Sequence, residues 1–141
     1  MRTPGPFVQL SANSLLKALQ VAHVQTDGSF KNNLSRTAVI IRKNRINHSL
    51  CKTFFNHRNS TESEWQSIVD GLEYSIKREE KSITLENDNL GVINSLIQEK
   101  APNLIYSAYY FYSLDLIKSM DWVAVRWIPR ELNKADKLFR I

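Results

Sequence analysis

Val21-Ala22-His23-Val24-Gln25-Thr26-Asp27-Gly28-Ser29 begins as a β-forming run and closes on a turn signal. It predicts a short strand over 21–26, with Asp27 at its carboxyl end and Asp27-Gly28-Ser29 turning the chain. Downstream, Thr37 to Arg42 is apolar and β-branched. After the polar Lys43-Asn44-Arg45, a third strand is expected from Ile46 to Phe55. The three form an antiparallel meander, followed by a polar loop at His57 to Ser60. From Glu62 to Lys77 the period becomes helical, with Trp65, Ile68, Val69, Leu72 and Ile76 on one face. Ser82 to Glu86 alternates as a fourth strand.

A helix is expected over Asn89 to Gln98, stopped by Ala101-Pro102, and a longer one over Asn103 to Met120. In the latter, Ile105, Tyr109, Tyr112 and Leu116 stand at helical spacing. Trp122 to Ile128 reads as a fifth strand closed by Pro129, and Leu132 to Ile141 as a short last helix. The fold class is therefore α/β, a mixed sheet with helices on its faces. Residues 1–20, a Pro-Gly-Pro arm and a short helix over Ser11 to Gln20, stand outside this pattern, which makes residues 21–141 the domain.

The chain has 141 residues, enough for one domain with a core of its own. Its single cysteine, Cys51, excludes an internal disulfide and suits a reducing compartment. No apolar run approaches the length of a membrane span and no cleavable leader is evident. The expected setting is intracellular, cytoplasmic or nucleoid-associated, with the protein acting as a monomer. Nineteen basic against fourteen acidic residues give a formal charge of +5. That excess favours a polyanionic partner, because neutralising phosphates releases counterions.

Four acidic residues stand at element ends: Asp27, Glu64, Asp88 and Asp136. If the first and fourth strands are parallel neighbours, Asp27 and Asp88 project at one carboxyl edge, where open α/β folds build sites. Glu64 lies about 100° around its helix from Trp65 and so flanks the buried face. Gly71, two turns along that flank, suggests close packing there, since a mid-helix glycine costs about 1 kcal/mol against alanine. Phosphodiester hydrolysis needs an activated water and a stabilised leaving oxygen, which two Mg²⁺ ions about 4 Å apart supply. Three or four carboxylates can seat such a pair. Each residue also has an ordinary structural use. Asp27 before glycine suits a turn, Glu64 meets a helix dipole, Asp88 is a possible N-cap, and Asn133 with Asp136 resembles a capping box.

The sequence around all four resembles the ribonuclease H type 1 family. Thr26-Asp27-Gly28-Ser29 is similar to its opening motif. Glu64-Trp65-Gln66-Ser67-Ile68-Val69-Asp70-Gly71-Leu72 resembles A-E-Y-x-A-L-x-x-G-L, with Ser63, Trp65 and Ser67 substituted. Asp88-Asn89-Leu90-Gly91-Val92-Ile93 resembles D-S-x-x-V-I, and Trp127 to Leu138 is similar to H-V-P-R-E-x-N-x-x-A-D-x-L. The resemblance covers about residues 21 to 141. It implies a ribonuclease H-like fold, a five-stranded mixed sheet of order 3-2-1-4-5 flanked by helices. It also implies an endoribonuclease that cuts the RNA strand of an RNA–DNA hybrid, with Asp27, Glu64, Asp88 and Asp136 as catalytic ligands of two Mg²⁺ ions. Mn²⁺ is expected to substitute.

Substrate contacts are expected from Gly28, Ser29 and Asn32 after the first strand, and from Arg58, Ser60 and Thr61 before the first helix. Asn89, Trp127 and Arg130 complete that set. The spacing resembles the compact subgroup without a basic protrusion, and no separate hybrid-binding domain is expected. Three departures stand out. Phe30 to Ala38, expected as a loop, contains no glycine. Trp127 occupies the place of a histidine, so turnover is expected to be slow. The chain also stops five residues after Asp136, which shortens the last helix. Two alternatives remain: a junction resolvase or other nuclease on this fold, and a non-catalytic hybrid-binding module. The Pro-Arg-Glu-x-Asn block disfavours the first, and four carboxylates facing phosphate disfavour the second. His48 and Cys51, three apart on a strand, point to opposite faces and are read as no zinc site. The tyrosines between 106 and 112 are read as core more than as a stacking platform.

Overall fold

The computed structural model describes residues 20–140. The expected arm and its helix thus lie outside the described residues, apart from Gln20. Strands β1 (Ala22–Lys31), β2 (Leu34–Lys43) and β3 (Ile46–Phe54) form the meander, and helix α1 (Ser60–Lys77) follows. Strand β4 (Ser82–Asn87), helices α2 (Leu90–Ile97) and α3 (Ser107–Lys118), and strand β5 (Trp122–Trp127) come next. Two 3-10 segments, Arg130–Leu132 and Lys134–Arg140, end the described residues. The sheet order is β3-β2-β1-β4-β5, with β1 antiparallel to β2 and parallel to β4. Among the described residues no helix is long and apolar enough to cross a membrane.

One face of the sheet carries the core. Ala22, Val24, Val39, Ile41, Ile83 and Leu85 are fully buried there against Trp65, Ile68 and Leu72 of α1 and Val92 and Ile93 of α2. Because side chains alternate across a strand, His23, Gln25 and Asp27 point to the opposite face. The C-terminal 3-10 segment packs against β1 and β2.

Four expectations need correction. Asp27-Gly28-Ser29 is not a turn: β1 runs through it to Lys31, paired with β2 throughout. The reversal falls instead on Asn32 and Asn33, at φ 53° and 60°. Asparagine tolerates this left-handed pair, which matches the twist of a two-residue hairpin. Phe30 to Ala38 is accordingly strand, tight turn and strand, with asparagines at the two positive-φ positions where glycine is also favoured. Second, Ile76 is more than a third exposed. Third, α3 starts at Ser107 and is rotated from the expected stripe. Tyr110 and Ser113 are buried, whereas Ile105 and Tyr112 are exposed. Tyr110 meets Trp65 edge-on, and Tyr106 and Tyr109 reach Asn59 and Glu62 with their hydroxyls. Hydrogen-bond partners, invisible to periodicity, choose that face. Fourth, the last helix is 3-10, because Asn133 between the two segments is extended and buried.

Candidate active site

The site forms where β1 outlasts β4. Their parallel pairing ends at Gln25 and Glu86, so Asp27 stands two residues beyond it and Asp88 directly follows Asn87. Helix α1 enters at the same end. Asn59 caps it by accepting the N–H of Glu62. This cap places Glu64 at the start of the second turn, beside β1. The Gly28 N–H donates to Oε1 of Glu64 at 2.8 Å. A Cβ at Gly28 would lie 2.5 Å from the Ser63 carbonyl carbon and oxygen, so only glycine permits this approach. Gly71 plays the matching part lower down: a Cβ there would lie 2.5 Å from Thr26 Cγ2.

Carboxylate oxygens of Asp27, Glu64 and Asp88 all lie within 4.8 Å of one another. Asp136 joins them from the C-terminal segment, where its carboxyl hydrogen-bonds that of Asp27. Arg130 Nη2 stands 3.7 Å from Asp136. The four carboxylates expected from sequence are thus brought together, although they come from a strand, a helix, the connection after β4 and a 3-10 segment.

Two buried amides frame them: sequence reasoning did not single out Asn87, and read Asn133 only as part of a capping box. Asn87 Nδ2 donates to the carbonyl and hydroxyl of Thr26, both at 3.0 Å, and approaches Glu64 Oε1 at 3.5 Å. Its Oδ1 accepts the Asn89 N–H. Asn133 Nδ2 donates to the same Thr26 carbonyl at 2.9 Å and to Asp88 Oδ2 at 3.2 Å. The available signal for Asn87 was a polar residue at the third core-facing position after Ile83 and Leu85. Asn133 to Asp136 spans three residues, one fewer than in the family pattern quoted above. The chain is wound there as 3-10, three residues per turn, which returns it to the same side after the shorter interval.

Crowding the acids has an electrostatic consequence. Burial, then the charges of Glu64 and Asp88 and the contact with Asp136, push Asp27 up to about 9. Burial and Asp88 raise Glu64 to about 7, against the opposing Gly28 hydrogen bond. Asp88 is also raised, mainly by burial. Asp27, Glu64 and Asp88, so placed, resist full ionisation together unless a cation neutralises them. The donors are hard oxygens, as Mg²⁺ and Mn²⁺ prefer, so the residues present fit a divalent cation site.

The remaining expected contacts divide. Gly28 touches Glu64, and Trp127 donates its indole N–H to the Asp88 carbonyl at 3.0 Å. Asn89 caps α2 beside Asp88, which excludes Asp88 as that cap. Ser29 lies inside β1 with its carbonyl accepting from Ser63. Asn32 sits at the hairpin tip, five strand residues or about 16 Å from Asp27. Arg58, Ser60 and Thr61 gather at the start of α1. No imidazole bonds to the cluster: His23 meets Thr84, His48 meets Arg78, and His57 meets Ser35 and stacks on Phe54.

A mixed sheet of this order, with acids converging at the ends of its two central parallel strands, defines a ribonuclease H-like domain. The chain belongs to the reverse transcriptase-like family, which matches residues 25–139. Solved structures agree on the fold. Ribonuclease H1 from Halobacterium salinarum is 16% identical, with a TM-score of 0.75 over 84% of this chain and 97% of that one. The N-terminal ribonuclease H domain of a Mycobacterium tuberculosis protein, solved fused to maltose-binding protein, is 15% identical. Its TM-score is 0.76, over 83% of this chain and 88% of that one. LC11 ribonuclease H1, solved with an RNA/DNA hybrid, is 16% identical, with a TM-score of 0.72 over 83% and 92%. Comparison with curated proteins gives no match.

Proposed function

We propose that this protein is a metal-dependent endoribonuclease that hydrolyses the RNA strand of RNA–DNA hybrids. The observation that carries the reading is the convergence of Asp27, Glu64 and Asp88 within 4.8 Å, with Asp136 against Asp27, in a ribonuclease H-like domain. Asp27 and Asp88 would hold the first of two Mg²⁺ ions, and Asp136 would complete the second. Glu64 would sit toward the scissile phosphate and ribose. When bound, the ions supply an activated water and neutralise the leaving 3′ oxygen.

The chain's own residues prepare this arrangement. Gly28 engages Oε1 of Glu64, which leaves Oε2 to face a cation. Asn133 fixes one oxygen of Asp88, and Asn87 holds β4 against β1 so that both aspartates share one edge. Arg130, three-quarters exposed beside Asp136, presents a guanidinium where a phosphate would arrive. The net charge of +5 attracts the duplex. The structural likeness to a protein solved with an RNA/DNA hybrid supports the same substrate class. RNA would be distinguished by its 2′-hydroxyls in the wide minor groove.

A cleavage assay on RNA–DNA hybrid, double-stranded RNA, DNA duplex and four-way DNA junction tests the proposal. Hybrid should be cut only with Mg²⁺ or Mn²⁺, leaving 5′-phosphate and 3′-hydroxyl ends. Cleavage of the junction with none of the hybrid would sink it.

A further inference from the structure

Gln25 stands two residues before Asp27 on the same face of β1. Its Nε2 donates to Oε1 of Glu86 at 3.0 Å and to the Leu132 carbonyl at 3.3 Å. Its Oε1 accepts the Lys134 N–H at 2.9 Å. Glu86, buried on β4, meets Arg126 Nη2 of β5 at 2.7 Å through its other oxygen. A carboxylate only accepts, so Glu86 obliges the amide to turn Nε2 toward itself and Oε1 toward Lys134. The side chain thereby brackets the backbone on both sides of Asn133, at Leu132 and at Lys134, the latter two residues before Asp136. This stretch is 3-10 where the quoted motif would place an α-helix, and its own hydrogen-bond geometry is the poorer of the two. The register of Asp136 therefore depends on what the sheet does to the segment.

We infer that Gln25 is a positioning residue for Asp136, oriented by the Arg126–Glu86 pair, so that this relay across three strands sets how Asp136 meets a divalent cation. The inference deepens the reading of the four carboxylates as a metal site and rests on it. Asn133 anchors the same segment to Thr26 and Asp88 and accepts the Ala135 N–H at 3.1 Å, from within the segment. The Gln25 bracket restrains the chain on either side of it.

Calorimetric titration of the nucleic-acid-free protein with Mn²⁺ tests the relay. Gln25→Ala should weaken Mn²⁺ binding about 10-fold, the low end of what losing an outer-sphere partner costs. Its melting temperature should hardly move, because water can replace these partly exposed bonds. Glu86→Ala should behave alike, whereas Glu86→Gln, still able to accept from Gln25, should stay near the wild type. The deciding measurement is a double-mutant cycle with Asp136→Asn. If Gln25 acts through Asp136, Gln25→Ala should cost no further affinity in the Asp136→Asn background. Additive losses would overturn the inference, as would a lower melting temperature with unchanged Mn²⁺ affinity. The titration contains no nucleic acid. A wild type that binds Mn²⁺ yet spares the hybrid defeats the substrate reading alone, and additivity defeats the relay alone.

Discussion

The backbone N–H of Gly28 and the carboxylate of Glu64 are joined at 2.8 Å, which locks the N-terminal part of α1 onto β1. A Cβ at position 28 would press 2.5 Å from main-chain atoms of Ser63, and main chain cannot swing aside as a side chain does. Gly28→Ala should therefore destabilise the protein by about 3 kcal/mol, the upper end for overpacking. It should also displace Glu64. Urea unfolding measures the first effect and metal-dependent cleavage the second. An alanine variant as stable and active as the wild type would show that α1 shifts at little cost.

The crowded acids make metal-free stability depend on pH. Asp27 is raised to about 9 and Glu64 to about 7, from ordinary values near 3.8 and 4.5. A carboxyl whose folded pKa is raised contributes fully below its unfolded pKa, and that contribution is lost as pH climbs through the folded value. In EDTA, the melting temperature should fall steadily from about pH 4 to pH 9. Asp27→Asn should melt above the wild type at pH 8 and show no such excess at pH 4. Mg²⁺ should raise the wild-type value at pH 8 by binding only the folded state, and should raise that of Asp27→Asn much less. A flat wild-type profile in EDTA would contradict the assigned crowding.

Asp88→Asn separates binding from hydrolysis. Asn133 donates to Asp88 Oδ2, and an asparagine side chain can still offer a carbonyl oxygen there, so the fold should persist. Cleavage should vanish, while hybrid affinity holds or improves as one charge repelling phosphate is removed. Binding of both proteins should weaken steeply with salt. Equal cleavage rates for variant and wild type would remove Asp88 from the metal site.

Trp127 bears on turnover. It is 44% exposed, with its indole N–H on the Asp88 carbonyl, so it does not pack beneath the C-terminal segment. Trp127→His should leave the melting temperature nearly unchanged and place a group that titrates near neutrality beside the cluster. Multiple-turnover rate should rise about 10-fold, less than the full contribution of a positioned acid–base group, with single-turnover rate little altered. No gain in a folded variant would mean that an imidazole at this position does not limit the reaction.

The order of strands and helices and the identity of the four acids were legible in the chain itself, because they rest on local signals. Alternation gives a strand's two faces, helical spacing gives the buried side of α1, and short motifs mark Asp27, Glu64, Asp88 and Asp136. Tertiary structure decided everything that depends on partners far away in sequence. It carried β1 straight through Asp27-Gly28-Ser29, because pairing with β2 outweighs a turn propensity. It turned α3 so that tyrosine hydroxyls meet Asn59 and Glu62. It made Asn133, 107 residues from Thr26, a buried clamp and wound the segment behind it as 3-10. A sequence shows which residues are polar. Only the folded chain shows which polar groups meet, since each such bond must be satisfied where burial removes water as an alternative.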